Sequence, residues 1–293
     1  MSTRSLRELR FSLVGPGRVG SSLARWLTRH DATLVSVAGR GPAASGALAS
    51  ALGGRSVPLD RLDTAGESLL LVAVRDTALD EVAGVLGAAP QAAVALHTCG
   101  SRGASALAPL AARGTATGSL HPLFPFPAAV DAPPRELVLA VDGDLAARQL
   151  AERLALAWGA RAVVVPESLR AVYHLAAVLS AGGIVTLLAL AAELVARGGL
   201  SADLAPGFAA LSRGALEAAS HSADPAEAIT GPWRRGEVET VARHFAAAAR
   251  LAPERLALLR ELACEAVRQR RRLDPHDEAT ATLAAWLAES DLP

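Results

Sequence analysis

The sequence predicts an α/β protein: a doubly wound sheet domain over residues 1–166 followed by an all-α domain over residues 167–293. Three observations carry this. The first half alternates short apolar runs with helical stretches, which is the signature of a parallel sheet with crossover helices. A Gly-x-Gly-x-x-Gly segment follows the first apolar run and opens an amphipathic helix. After Pro166 the strand pattern stops, and helical segments follow with breaks at Gly198-Gly199, Pro206, Pro225, Pro232, Pro253 and Pro275.

The first strand is expected at 11–14, a continuous apolar run that leads into Val14-Gly15-Pro16-Gly17-Arg18-Val19-Gly20. Gly15 permits the tight strand-to-helix turn, Gly17 lets backbone approach a pyrophosphate, and Gly20 lets the helix pack against the strand it has just left. Unpaired amides at the helix start, with Arg18 and Val19 in its first turn, face the phosphates, and the helix dipole favours their charge. Val19, Leu23, Trp26 and Leu27 supply the buried stripe. The segment therefore predicts a Rossmann-type dinucleotide site.

The second strand is expected at 33–38, and Gly39-Arg40 follows where an NAD-binding protein usually carries Asp or Glu. An acidic side chain there accepts from the ribose 2′-hydroxyl and repels a 2′-phosphate. Arginine does the opposite, so the expected cofactor is NADP(H) rather than NAD(H), with Gly39, Arg40 and Ser45 at the phosphate. The rival reading makes Arg40 one more solvated surface arginine.

Further strands are expected at 69–74, 93–97 and 116–120, and a last pair at 136–141 and 162–165 flanks a helix at 144–158. Ligands in such sheets sit beyond the carboxyl ends of the strands, which places weight on Val74-Arg75-Asp76, His97-Thr98-Cys99-Gly100 and His121-Pro122. Val74, Arg75 and Thr98 thus join the expected cofactor contacts. His121 can act there as general acid toward a carbonyl or imine, or it can hold a loop as a structural histidine. Tyr173, the one tyrosine of the chain, and His174 are expected to begin the long helix that follows. Tyr173 either donates a phenolic proton or caps the core. His97 and His244 are weaker candidates, and His30, His221 and His276 are expected to be exposed.

Residues 230–236 read as a turn joining helices, with Pro232 at a helix start. Arg235 can form a bidentate pair with a substrate carboxylate while Thr230 and helix-start amides donate. Alternatively, Thr230 caps a helix and Arg235 pairs with Glu237 or Glu239. Residues 175–192 contain no charged side chain, which by length makes them a candidate membrane span. Gly182-Gly183, Ser180 and Thr186 break the apolar face, no basic flank fixes an orientation, and polar helices follow, so a membrane span is not expected. A helix apolar all round is instead expected at the centre of the helical domain or of a homodimer built on the C-terminal helices.

Composition removes several classes of function. At 293 residues and 51% hydrophobic the chain can bury a large core. Twenty-nine basic residues balance 29 acidic ones, leaving no charge excess to hold nucleic acid or an anionic membrane. Two cysteines far apart suggest neither a disulfide framework nor a metal site, and a reducing cytoplasm fits best. Residues 1–10 lack the apolar stretch and cleavage site of a signal peptide. Every basic residue is arginine, so no Schiff base and no lysine acid or base is available. A proton donor must be His, Tyr, an acid, Cys or water.

Five segments occur in one order: Gly15-Pro16-Gly17-Arg18-Val19-Gly20, His97-Thr98-Cys99-Gly100, Ser119-Leu120-His121-Pro122-Leu123, Tyr173-His174-Leu175-Ala176-Ala177 and Thr230-Gly231-Pro232-Trp233-Arg234-Arg235-Gly236. Together they make the chain resemble the Rossmann-like proteins with the C-terminal domain of unknown function 2520. These are similar to pyrroline-5-carboxylate reductase and belong with the 6-phosphogluconate dehydrogenase-like oxidoreductases. The resemblance implies a nicotinamide nucleotide in the N-terminal domain, a helical C-terminal dimerisation domain and an unassigned small-molecule substrate. The chain departs from the family pattern at Cys99-Gly100, where Ser-Gly is common, at Ala181-Gly182, where Ser-Asn is common, and at Glu237, where Asp is usual. The expected function is an NADP-dependent oxidoreductase reducing a small carbonyl or imine compound, with carboxylate-bearing compounds among the candidates. The alternative, favoured by the missing Ser-Asn pair, is an NADP(H)-binding regulator without turnover.

Overall fold

The computed structural model describes residues 5–89 and 91–290; residues 1–4, the start of the stretch expected to lack a leader, lie outside them, as do residues 90 and 291–293. The strands are β1 (Arg10–Val14), β2 (Thr33–Ala38), β3 (Arg55–Ser56), β4 (Leu69–Val72), β5 (Val94–His97), β6 (Ala116–Pro122), β7 (Val138–Gly143) and β8 (Arg161–Val164). They form one sheet in the order β3-β2-β1-β4-β5-β6-β7-β8. Every neighbouring pair is parallel except β6 and β7, which are antiparallel. The crossovers carry α1 (Arg18–Arg29), α2 (Pro42–Leu52), α3 (Asp76–Gly87), α4 (Ala108–Ala111) and α5 (Leu145–Trp158).

The apolar strands are continuous runs because both faces of the sheet are covered. On one face Phe11, Leu13, Leu69, Leu71 and Leu96 pack with Leu23, Trp26 and Leu27 of α1 and with Leu154 of α5. On the other, Val14, Leu70, Val72 and Ala95 pack with Leu79, Val82 and Leu86 of α3. Trp26 is fully buried, meets Trp158 edge-on at 5.4 Å between ring centroids, and donates its indole N–H to the Val130 carbonyl at 3.1 Å. Several features depart from the sequence reading: β4 ends at Val72 rather than at residue 74, and β7 spans Val138–Gly143 rather than 136–141 and runs antiparallel to β6. The two-residue strand β3 is too short to leave a periodic signal, and β6 runs on to Pro122, which places His121 inside the strand opposite Ala140.

Contacts divide the chain into two compact units, Met1–Ala181 and Gly182–Pro293. Pro166 thus marks where the strands end, whereas the sheet unit also takes in α6 (Arg170–Val178). The second unit holds α7 (Ile184–Arg197), α8 (Ala205–His221), α9 (Gly231–Arg235), α10 (Val238–Leu251), α11 (Leu256–Leu273) and α12 (Glu278–Glu289). Its core is Val241, Phe245, Leu256, Ala263, Val267, Leu283 and Leu287, all from α10 to α12. Asp277 caps α12 by accepting from the Ala279 and Thr280 amides.

The helical run Glu167–Arg197 contains one π-helical turn, Leu179–Gly183. It is long and apolar enough to cross a membrane by length and composition, with a mean hydropathy of 2.2. No residue of its most apolar 18-residue window is buried, and Val172, Leu175, Val178, Leu179, Val185 and Leu187 are exposed, whereas Arg170 near its start is buried. Of the two settings expected for residues 175–192, the centre of the helical domain or of a homodimer, the first is therefore corrected: the core of the second unit comes from α10, α11 and α12.

Candidate active site

The glycine segment forms the turn the sequence requires. Gly15 has φ +93°, and a Cβ there would lie 2.3 Å from the Ala73 carbonyl oxygen. A Cβ on Gly20 would lie 2.1 Å from the Gly15 carbonyl oxygen, so helix and strand touch at that point. Gly17 differs from both. A Cβ there would meet nothing within 4 Å, which leaves its backbone open to a ligand. Gly17 is also the N-cap of α1, with no side-chain cap and no acidic residue in the first turn, so the helix start presents free amides and a favourable dipole to an anion. These residues fit a dinucleotide diphosphate.

Around this cradle the predicted contacts divide. Val19 packs on the core, and Val74 packs beside α3. Arg75 is the exposed N-cap of α3, and the Thr98 amide donates to the Val72 carbonyl at 3.1 Å. Arg18 is exposed and donates from Nη1 to the Pro127 carbonyl at 3.1 Å. Gly39 follows β2 beneath Pro16, and Arg40 beside it is exposed at the sheet edge. Ser45 is 1% exposed with its hydroxyl unpartnered under Gly39, so it is not presented to a phosphate as the sequence suggested.

Further along the same edge, β5, β6 and α6 bring three of the predicted side chains together. His121 Nδ1 and the Tyr173 hydroxyl share a hydrogen bond of 2.6 Å, and the His121 ring meets Tyr173 and His174 edge-on at 5.7 and 5.9 Å. Gly100 makes this approach possible, because a Cβ there would lie 2.6 Å from His174 Cδ2 and 2.8 Å from His121 Nε2. Burial, with His174 and Arg170 nearby, holds His121 down to about 4, so its imidazole is neutral at pH 7. Burial pushes Tyr173 up to about 12, against the opposing pull of Arg170. His121 thus holds a neutral ring against an intact phenol rather than standing as a ready imidazolium acid.

His97 has a different task. Its Nε2 donates to the Gly103 carbonyl at 2.8 Å and its Nδ1 accepts from the Cys99 amide at 3.2 Å. With both nitrogens satisfied and the ring fully buried, burial holds it down to about 4. It is a structural histidine that shapes the loop carrying Gly100. Ser101 donates to Asp76 at 2.7 Å. Burial works to raise the Asp76 carboxyl, but hydrogen bonds from Cys99 and Ser101 and the neighbouring His174 outweigh it and leave it below its ordinary value.

Sequence reasoning missed Arg170, Ser101 and Glu167. Arg170 is 1% exposed; its Nε donates to the Val165 carbonyl at 3.1 Å and its Nη2 to the Ser119 hydroxyl. Glu167 accepts from the Ser105 hydroxyl and packs where a Cβ on Gly103 would fall. Their contacts span 51 and 62 positions, and no local pattern marks them. In the second unit Thr230 takes the N-cap position of α9 without a side-chain cap bond, and Arg235 pairs with Glu237 at 2.5 Å. Of the two readings of Arg235, the ion pair is the one the structure contains. His244, His221 and His276 are exposed, whereas His30 is half-buried with Nδ1 at 2.8 Å from the Trp26 carbonyl.

Residues 2–122 match the model of the Rossmann-like domain, and residues 137–266 match that of the domain of unknown function DUF2520. No curated protein matches the chain. Among solved structures, a protein from Thermotoga maritima is 20% identical with a TM-score of 0.73, covering 90% of this chain and 99% of its own. A protein from Bacteroides fragilis is 21% identical with a TM-score of 0.70, covering 90% and 98%. The pyrroline carboxylate reductase of Plasmodium falciparum, solved with NADP bound, is 12% identical with a TM-score of 0.58, covering 95% and 100%. At these identities the likeness is one of fold. With both halves matched in order, the chain belongs to the proteins that join a Rossmann-like domain to the domain of unknown function 2520.

Proposed function

We propose that the protein is an NADP-dependent oxidoreductase that reduces a small carbonyl or imine compound, carboxylate-bearing ones included. The observation that carries this is the hydrogen-bonded Tyr173–His121 pair at the carboxyl ends of the strands that also hold the open Gly17 cradle. The fold shared with an NADP-bound pyrroline carboxylate reductase supports the same reading. Arg40, exposed after β2 where an acidic side chain would favour NAD, supports the 2′-phosphorylated coenzyme. When bound, the nicotinamide supplies the hydride. The chain supplies the proton. The Tyr173 O–H bond breaks, and its proton forms the new O–H or N–H bond as the C=O or C=N π pair moves onto that atom. The phenolate then takes a proton from His121 Nδ1 as Nε2 gains one from solvent. Arg235, already paired with Glu237, is left out of this machinery.

Fluorescence titration combined with turnover tests the proposal. NADPH should bind saturably and more tightly than NADH, and at least one member of a panel of keto acids, aldehydes and cyclic imines should oxidise it. Tighter binding of NADH would overturn the coenzyme assignment. Binding of NADPH with no isotope exchange into it, even from cell extract, would leave the non-catalytic regulator in its place. The uncovered helix Glu167–Arg197 supports a further part of the reading: a second copy of the chain packs on it.

A further inference from the structure

Arg170 is a buried charge that makes no direct ion pair among the described residues. It is 1% exposed, its hydrogen bonds go to a carbonyl and a hydroxyl, and its buried Nη1 finds no protein acceptor. A buried guanidinium left in that state is costly, and proteins ordinarily pair it with a carboxylate. Here Asp142, across the sheet from Ser119, and Glu167, three residues earlier in the chain, act on Arg170 only through space, and the ring of Tyr173 lies with the guanidinium carbon 5.8 Å from its centroid. Arg170 and Tyr173 lie one turn apart on α6, so the helix itself fixes this spacing.

We propose that Arg170 is a positioning residue whose buried charge receives the negative charge left on the Tyr173 oxygen when the phenol gives up its proton. The inference rests on the assignment of Tyr173 as proton donor. It explains why a fully buried cation is kept beside a phenol and away from any ion pair. It also accounts for the division of labour: the same positive charge disfavours a proton on His97 and His121 while favouring its departure from Tyr173. The other titratable groups that bear on the pair are His121 from β6, His174 from α6, Asp142 from β7, Cys99 from the loop after β5 and Glu167 just before α6.

Because the chain has one tyrosine, replacing tyrosine with difluorotyrosine labels this phenol alone and brings its ionisation into a range the fold withstands. Fluorine NMR of the whole chain, without coenzyme or substrate, then reads the midpoint directly. Arg170→Gln should raise that midpoint by about one pH unit or more, and Arg170→Lys should recover most of the shift. An unchanged midpoint in a folded Arg170→Gln protein would overturn the proposal. If Arg170→Gln does not fold, the unsubstituted labelled protein decides: the Arg170 Nε–H resonance should move with the same midpoint as the fluorine signal, and a resonance that stays still while the phenol ionises overturns the proposal. Failure of NADPH binding would remove the reductase assignment while leaving this midpoint untouched, so the two failures are separable.

Discussion

At the scale of single residues, the site is set by which protons are held and which are free. His121 is neutral because burial outweighs any gain from charging it, and its Nδ1 is engaged with Tyr173. His121→Ala should therefore lower turnover by on the order of a hundredfold, the range of general acid–base effects, while NADPH affinity stays nearly constant. Unchanged turnover would remove His121 from the proton path. Turnover should also fall as pH drops toward about 4, where His121 and His97 charge and the fold that holds the pair loses stability. His121, Tyr173 and His174 were legible in the sequence, since polar residues beside strand ends and at a helix start stand out in an apolar chain. Arg170 and Ser101 were not, because a buried arginine and a loop serine look like ordinary surface residues until distant segments are folded onto them.

At the scale of elements, the first strand, turn and helix were legible to within a residue, because each glycine has its own steric reason. That separation gives a paired prediction. Gly17→Ala meets open space, so the fold should hold its thermal midpoint while NADPH affinity drops on the order of tenfold by isothermal titration. Gly20→Ala drives a methyl into the Gly15 carbonyl and should cost about 1–3 kcal/mol in chemical denaturation. Equal effects of the two substitutions on stability would contradict the assignment of Gly17 to the ligand. The reversed direction of β7 was not legible, since an apolar run has no sense of direction until its neighbours are known. Nor does periodicity tell a helix buried in its own domain from one left exposed by it, which is why the centre of the helical domain stood beside a homodimer as a setting for residues 175–192. If a second copy covers it, Val185→Asp should convert a dimer to a monomer in light scattering at micromolar concentration. A wild-type monomer under those conditions would sink the dimer.

For the molecule as a whole, the buried histidines tie stability to pH. His97 titrates near 6.5 when free and near 4 in the fold, so between these values the unfolded chain binds more protons than the folded one. Stability is fully present above about pH 6.5 and is lost as pH falls toward about 4, by about 3 kcal/mol for His97, with His121 acting in the same direction. Thermal midpoints should fall steadily across that window, and His97→Gln should flatten the slope; a flat wild-type profile would contradict the burial of a neutral ring. One other feature governs what this protein can become. A side chain at Gly39 would press within 2.6 Å of Pro16, in the turn proposed to hold the diphosphate. On the proposed coenzyme assignment, evolution or engineering toward the unphosphorylated coenzyme is thus barred from the customary acidic substitution at that position, which would disturb the turn that either coenzyme would need. Any such exchange of currency must begin at Arg40.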